Sequence, residues 1–257
     1  MADGNKVLSG KLALVTGASR GIGAAIAKRL ASDGAAVLVH YGSSPDKANA
    51  VVADIRKAGG QAEAVGADLS KGDGPKALIK QVDGAFGGKF GGRLDVLVNN
   101  AGVGAFGPPV EVSDEELAKV IQVNFRAVFE LARDAAKRMT AAKSGRIINV
   151  GSCLGERIFG PGMTIYSATK FAVVGLTKGL SRDLGPHGVT VNNVQPGPTD
   201  TDMNPASGEG ADMQRSQTSV GHYGKPDDIA NAVAFLASPA AAFINGESLT
   251  VDGGVNA

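Results

Sequence analysis

Short apolar runs recur along the chain, separated by longer stretches with helical periodicity. The runs at 12–16, 36–41, 62–67, 96–98, 146–150, 189–194 and 248–251 predict strands. Several are apolar without strict alternation, as in strands covered on both faces. Residues 21–30, GIGAAIAKRL, carry strong helix formers. Ser113-Asp114-Glu115-Glu116 is a capping box that predicts a long helix to about residue 141. Pro226 after Lys225 marks another helix start. Strand–helix alternation of this kind implies right-handed crossovers and a parallel sheet, hence an α/β fold. No internal repeat or linker divides the 257 residues, a length that suits one domain, 1–257. The segment 204–221 is rich in Gly, Ser, Gln and acids. It reads as a disordered loop or as a mobile lid, a substrate loop over 202–221.

One turn adds chemistry to this pattern. Thr16-Gly17-Ala18-Ser19-Arg20-Gly21-Ile22-Gly23 follows the first strand and opens the first helix. Glycines let the backbone approach a pyrophosphate, and a helix N-terminus offers free N–H groups and partial positive charge. The spacing is Gly-x-x-x-Gly-x-Gly. A tight strand–helix turn with no ligand is the plain alternative. An NAD site would carry an acid at the end of the second strand. Here that strand ends His40-Tyr41-Gly42-Ser43-Ser44, with no carboxylate before Asp46. Arg20 lies in the turn itself, so a 2′-phosphate is the better fit and NADP(H) is expected over NAD(H). Ser43 and Ser44 are expected to donate to that phosphate. His40 reads as a surface histidine rather than a specific contact. Asp68 suits either an adenine amino group or a helix cap.

Composition narrows the partners. The chain has 26 Lys+Arg against 25 Asp+Glu, a net charge of +1. That excludes an obvious nucleic-acid or membrane-surface partner. A single cysteine, Cys153, excludes an intramolecular disulfide and fits a reducing compartment. The opening residues lack the apolar core of a signal peptide, so a cytoplasmic location is expected. The three histidines, His40, His187 and His222, have no metal-ligand spacing, and no metal is expected. Cys153 reads as a small buried thiol.

Tyr166-Ser167-Ala168-Thr169-Lys170 places a phenol and an ammonium four residues apart, on one face of a helix. Either the pair is a solvated edge, or the lysine alters the tyrosine. Taken with TGASRGIG at 16–23, ADL at 67–69, NNAG at 99–102, Asn124 in QVNF, Ser152, PGPTDT at 196–201 and the closing NGESLTVDGG at 245–254, it resembles the short-chain dehydrogenase/reductase family. The resemblance covers nearly the whole chain. It implies a Rossmann-type, doubly wound sheet of seven parallel strands in the order 3-2-1-4-5-6-7. It implies a catalytic group of Asn124, Ser152, Tyr166 and Lys170.

For the cofactor the same resemblance, together with the turn, points to Gly17, Ser19, Gly21, Ile22 and Gly23 at the pyrophosphate, with Arg20 of the same turn at the 2′-phosphate. Tyr41, Ser43, Ser44, Asp68 and Leu69 fall at the adenosine end, and Asn100, Ala101 and Gly102 form a wall. Tyr166, Lys170, Pro196, Gly197 and Thr199 fall at the nicotinamide end, with Thr201 near its carboxamide or the pyrophosphate. Family members commonly form tetramers through two long helices, here around 114–141 and 164–184, and a homotetramer is expected. One departure stands out. Ser152 precedes Tyr166 by 14 residues, one more than the usual family interval, and the extra residue falls in the loop 156–162, beside the substrate.

The implied chemistry is hydride transfer between a nicotinamide and a carbonyl or secondary alcohol. A free phenol, with a pKa near 10, is a reluctant acid and a scarce base. A cationic Lys170 is expected to stabilise the phenolate. Ser152 is expected to hold the substrate oxygen, and Asn124 to interrupt its helix and hold a water that relays protons towards Lys170. The leading expectation is an NADPH-dependent carbonyl reductase acting on a small-molecule carbonyl, reversible as an alcohol dehydrogenase. Alternatives are a 3-oxoacyl-acyl carrier protein reductase, to which Arg157 would lend basic surface, and a ligand-binding regulator on the same fold. Phe106, Phe159, Met163 and Met203 are candidates for the pocket wall or for core packing.

Overall fold

The structure, a computed structural model, describes residues 6–257. Residues 1–5, the start of the stretch read as lacking a signal peptide, lie outside the described residues. Seven strands form one parallel sheet: β1 (Leu12–Val15), β2 (Ala36–Tyr41), β3 (Gln61–Gly66), β4 (Val96–Asn99), β5 (Gly145–Val150), β6 (Val189–Pro196) and β7 (Ser248–Val251). Their order is β3-β2-β1-β4-β5-β6-β7, as the resemblance implies. The helices are α1 (Gly21–Ser32), α2 (Pro45–Lys57), α3 (Gly74–Gln81), α4 (Asp114–Ile121), α5 (Ala127–Ala142), α6 (Thr164–Leu184), α7 (Ala211–Gln217) and α8 (Pro226–Ala237).

The period of two along β1 builds both faces of the molecule. Ala13 and Val15 point into a core with Ile26 and Leu30 of α1 and Ile229 and Val233 of α8. Leu12 and Leu14 point into a second core with Leu131 and Met139 of α5 and Val191 of β6. All four residues of β1 are fully buried, which accounts for the unbroken apolar run. Asn192 and Asn193 interrupt β6 and are buried as well. Asn192 Nδ2 donates to Ile244 O at 2.9 Å, and its Oδ1 accepts from Glu247 N at 3.0 Å. These bonds anchor the approach to β7. Among the described residues no helix is long and apolar enough to cross a membrane.

The sheet order reverses direction between β1 and β4. In doubly wound sheets the crevice at such a switch point, outside the strands' carboxyl ends, receives ligands. The glycine-rich turn, the NNAG segment and the ends of β5 and β6 all meet there. A hollow of about 300 Å³ beside Lys11, Gly34, Phe90 and Arg93 opens near the amino ends of β1 and β2 instead, away from that chemistry.

Two helical expectations change in detail. The capping box opens α4, with Ser113 Oγ accepting from Glu116 N at 3.2 Å. The helix does not then run unbroken to residue 141. A π-turn over Gln122–Arg126 divides α4 from α5, and Asn124 sits inside it. The segment read as disordered or a mobile lid contains α7. It is tied to itself by reciprocal amide bonds, Asn204 Nδ2 to Gln214 Oε1 at 2.9 Å and Gln214 Nε2 to Asn204 Oδ1 at 3.1 Å.

Candidate active site

The phosphate turn is held from behind. Thr16 Oγ1 accepts from both Asn100 N and Ala101 N at 2.9 Å. Asn100 Nδ2 donates to Thr16 O at 2.9 Å and to Gly17 O at 3.1 Å. NNAG is therefore the clamp that fixes the turn as well as a wall of the crevice. Gly17 and Gly21 adopt positive φ, +62° and +53°, where glycine carries no steric penalty. Arg20 precedes α1 with no side-chain cap, and no acid lies in the helix's first turn. The helix N-terminus thus faces the crevice with uncapped N–H groups and partial positive charge, which fits a pyrophosphate.

His40 departs from expectation. It is buried, 2% exposed, because the turn folds over the end of β2. Gly17 N donates to His40 Nδ1 at 3.0 Å, and His40 Nε2 meets Ala67 O at 3.0 Å. This pairing requires the neutral ring with its proton on Nε2. His40 therefore ties the turn to the end of β3, and the surface reading is corrected. The signal that could have revealed it is its place inside the apolar run of β2, between Val39 and Tyr41. Burial holds the His40 pKa below its ordinary 6.5. The unfolded chain then binds a proton that the native ring resists, so stability rises with pH across the window just below 6.5. Full stability is present above 6.5 and is lost as pH falls through the lower native value. Between about pH 7 and about pH 5, the wild-type denaturation midpoint should fall more than that of His40→Asn, whose carbonyl keeps an acceptor for Gly17 N–H. Equal falls would show that His40 is not the group responsible.

At the adenosine end, Ser44 begins α2 without capping it through its side chain, leaving its hydroxyl available. Ser43 is exposed. Tyr41 packs against Gly66, where an added Cβ would stand 2.8 Å from its hydroxyl. Asp68 does not cap α3. Its Oδ1 accepts from Ser70 N at 2.9 Å and Ser70 Oγ at 2.6 Å, and these bonds hold its carboxyl below the usual range. Leu69 is buried beside it.

The four catalytic candidates converge. Asn124, Ser152 and Lys170 are 1%, 8% and 6% exposed, and Tyr166 is half-buried. Asn124 Oδ1 accepts from Val103 N, and its Nδ2 donates to Val103 O, both at 2.9 Å. Its Nδ2 also reaches Thr169 Oγ1 at 3.2 Å. The π-turn aims this amide at the chain following NNAG and joins it to α6. Gly102 lies against both Asn124 and Lys170. A Cβ there would stand 3.5 Å from Asn124 Oδ1 and 3.7 Å from Lys170 Nζ.

Lys170 and Tyr166 share a face of α6, with Nζ 5.5 Å from the ring centroid. Here too the structure differs from expectation. Lys170 Nζ donates to Val150 O at 3.0 Å, so its ammonium is directed at that carbonyl. Desolvation pushes Tyr166 up to about 12, and a hydrogen bond with Ser152 partly offsets this. Desolvation brings Lys170 down to about 8. Burial acts against the charged form of each, so the protein alone keeps the phenol protonated. Cys153 is buried, as expected, and its thiol is pushed up to about 11.

Pro196 ends β6, and Gly197 packs so closely on Asp252 that a Cβ would stand 2.5 Å from its Cα. Thr199 Oγ1 donates to Gly197 O at 3.0 Å. Thr201 Oγ1 accepts from Asn204 N at 3.2 Å, and its methyl lies 3.3 Å from where a Cβ on Gly21 would stand. Thr201 therefore reaches the phosphate turn. The mouth is apolar. Phe106 stacks on Tyr166 with ring centroids 5.2 Å apart, and Arg157 lies over Phe159 at 5.5 Å. Gly107 N donates to Gly162 O at 2.8 Å, which zips the long 156–162 loop to the segment carrying Phe106.

The family profile for short chain dehydrogenase matches residues 11–212. This chain belongs to the short-chain dehydrogenase/reductase family. It is an oxidoreductase by that membership. It is 43% identical over 246 residues to the 3-oxoacyl-[acyl-carrier-protein] reductase FabG of Staphylococcus aureus, covering 95% of this chain and 98% of that protein. It is 39% identical over 249 residues to the cyclic-di-GMP-binding biofilm dispersal mediator protein of Escherichia coli, covering 97% and 98%. A short chain dehydrogenase from Burkholderia cenocepacia, solved in complex with NADP, superposes with a TM-score of 0.90 at 49% identity, covering 98% and 100%. Its bound dinucleotide is in keeping with the uncapped turn described above.

Proposed function

We propose that this protein is an NADPH-dependent carbonyl reductase, reversible as an alcohol dehydrogenase. The observation that carries the reading is the convergence of Ser152, Tyr166, Lys170 and Asn124 beside an uncapped, glycine-rich helix N-terminus. The preference for NADPH rests on Arg20 in the turn and on the absence of an acid at the end of β2. When bound, the nicotinamide supplies a hydride to the carbonyl carbon. Ser152 holds the carbonyl oxygen, where negative charge grows, and Tyr166 gives that oxygen its proton, leaving the alcohol and a phenolate. Lys170, poised near pH 8, stabilises the phenolate and returns the proton, and Asn124 holds the water that resupplies it. The Thr16–Asn100 clamp and His40 keep the turn in place for the pyrophosphate. The segment 202–221 acts as a mobile cover for the substrate.

The second reading, reduction of 3-oxoacyl thioesters on a carrier protein, is favoured by the likeness to FabG. Against it, Arg157 is engaged with Phe159, and the mouth beside Tyr166 presents aromatic surface. Steady-state kcat/KM with NADPH across ketones, diketones and 3-oxoacyl thioesters separates the two. Small ketones and diketones are expected to exceed the thioesters, and the reverse order would establish the acyl-chain reading. Turnover of none, with NADPH bound, would favour a ligand-binding regulator. We also propose a homotetramer, supported by exposed Ile121, Phe125 and Phe129 along α4–α5 and Phe171 on α6. Light scattering showing a stable monomer at micromolar concentration would overturn it.

A further inference from the structure

Two cations from different elements meet one carboxylate across the cofactor crevice. Arg20, in the phosphate turn, places Nη1 3.9 Å from Asp202 Oδ2. Lys47, in the first turn of α2, places Nζ 3.5 Å from the same oxygen. Asp202 comes from the opposite wall. It follows Thr201, which touches the turn at Gly21, and it begins the segment that carries α7. The side chains of Arg20, Lys47 and Asp202 are 58%, 55% and 63% exposed, so these ion pairs are weak and easily exchanged. The cations lie where the end of β2 hands over to α2. Ser44 leaves its side chain uncommitted there, and the neighbouring Asp46 forms no ion pair among the described residues.

We propose that Lys47 joins Arg20 in reading the 2′-phosphate, and that Asp202 is an internal anion that occupies this pair until the phosphate displaces it. A phosphate monoester brings nearly two negative charges and three acceptor oxygens, where Asp202 offers a single oxygen to both cations. NADP therefore exchanges a weak intramolecular contact for a stronger one and frees the start of the substrate segment. NAD lacks the phosphate and leaves Asp202 in place. The pair thus sets cofactor choice and couples it to the segment that covers the substrate. This inference rests on the NADP preference proposed above.

Calorimetric titration with NADP+ and NAD+, which differ only in the 2′-phosphate, tests it in wild type, Lys47→Gln and Asp202→Asn. All the substitutions are on exposed side chains and leave the fold intact. Wild type is expected to bind NADP+ more tightly. Lys47→Gln should weaken NADP+ by about tenfold while leaving NAD+ nearly unchanged. Asp202→Asn should tighten NADP+ by about threefold, with no gain for NAD+. That gain should shrink when Lys47→Gln is present as well. Wild type binding both cofactors equally would overturn the NADP reading and this inference with it. A clear NADP+ preference that Lys47→Gln leaves intact would overturn the role of Lys47 alone. The same preference with Asp202→Asn unchanged or weakened would overturn the displacement.

Discussion

Tyr166→Phe is expected to lower kcat for carbonyl reduction by roughly 10³-fold, the usual worth of a positioned general acid, while NADPH affinity changes little. The substitution removes one hydroxyl and keeps the ring, so the stacking with Phe106 at 5.2 Å survives. Ser152 keeps its bond from Leu154 N at 3.1 Å. Without cofactor the phenol sits at about 12, firmly protonated. Each pKa unit corresponds to about 1.4 kcal/mol of differential stabilisation. The fall needed to make the phenol an effective acid therefore has to come from charge brought into the site together with Lys170. Single-turnover kinetics with pre-bound NADPH would report the loss directly. Reduction by Tyr166→Phe at near wild-type rate would mean that another group delivers the proton.

Gly23→Ala is expected to weaken NADPH binding by more than tenfold and to destabilise the fold by about 1–3 kcal/mol, the range for overpacking a tight site. A Cβ at residue 23 would stand 2.3 Å from Gly17 O and 2.5 Å from Asn100 Nδ2. Those two atoms form one bond of the clamp behind the turn. The methyl would therefore push α1 away from the turn and break the Asn100 bridge together. Gly21→Ala offers a contrast, since its Cβ would meet Thr201 alone, nearest at its methyl, 3.3 Å away. Its cost comes from the positive φ and should be smaller. Calorimetric titration and denaturant unfolding measure both effects. A near wild-type Kd for Gly23→Ala would show that the turn relaxes without loss of function.

The strands were legible because the sheet is covered on both faces, so that residues 12–15 and 96–98 have no polar side to blur the pattern. The order of the strands was not written in periodicity and came from the resemblance. The convergence of Asn124, Ser152, Tyr166 and Lys170 followed from motif order. Three features were not legible because they depend on what covers a residue in space. His40 looks like a polar strand end until the phosphate turn is folded over it. The Tyr166 pKa moves up rather than down because desolvation outweighs its hydrogen bond with Ser152, and the Lys170 ammonium is turned to Val150 O. Asp202 meets Arg20 and Lys47 only because β6 returns beside β5 and sends its following loop across the crevice. The extra residue between Ser152 and Tyr166 was visible in the spacing, but the Gly107–Gly162 bond that ties its loop to the Phe106 segment was not.

The central claim is tested most directly by following the absorbance of the reduced nicotinamide with purified protein, NADPH or NADH in parallel, and a carbonyl acceptor. The account predicts oxidation of NADPH in preference to NADH, dependent on the acceptor and lost in Tyr166→Phe. NADPH bound but never oxidised by any carbonyl acceptor, or oxidation that persists in Tyr166→Phe, would contradict it.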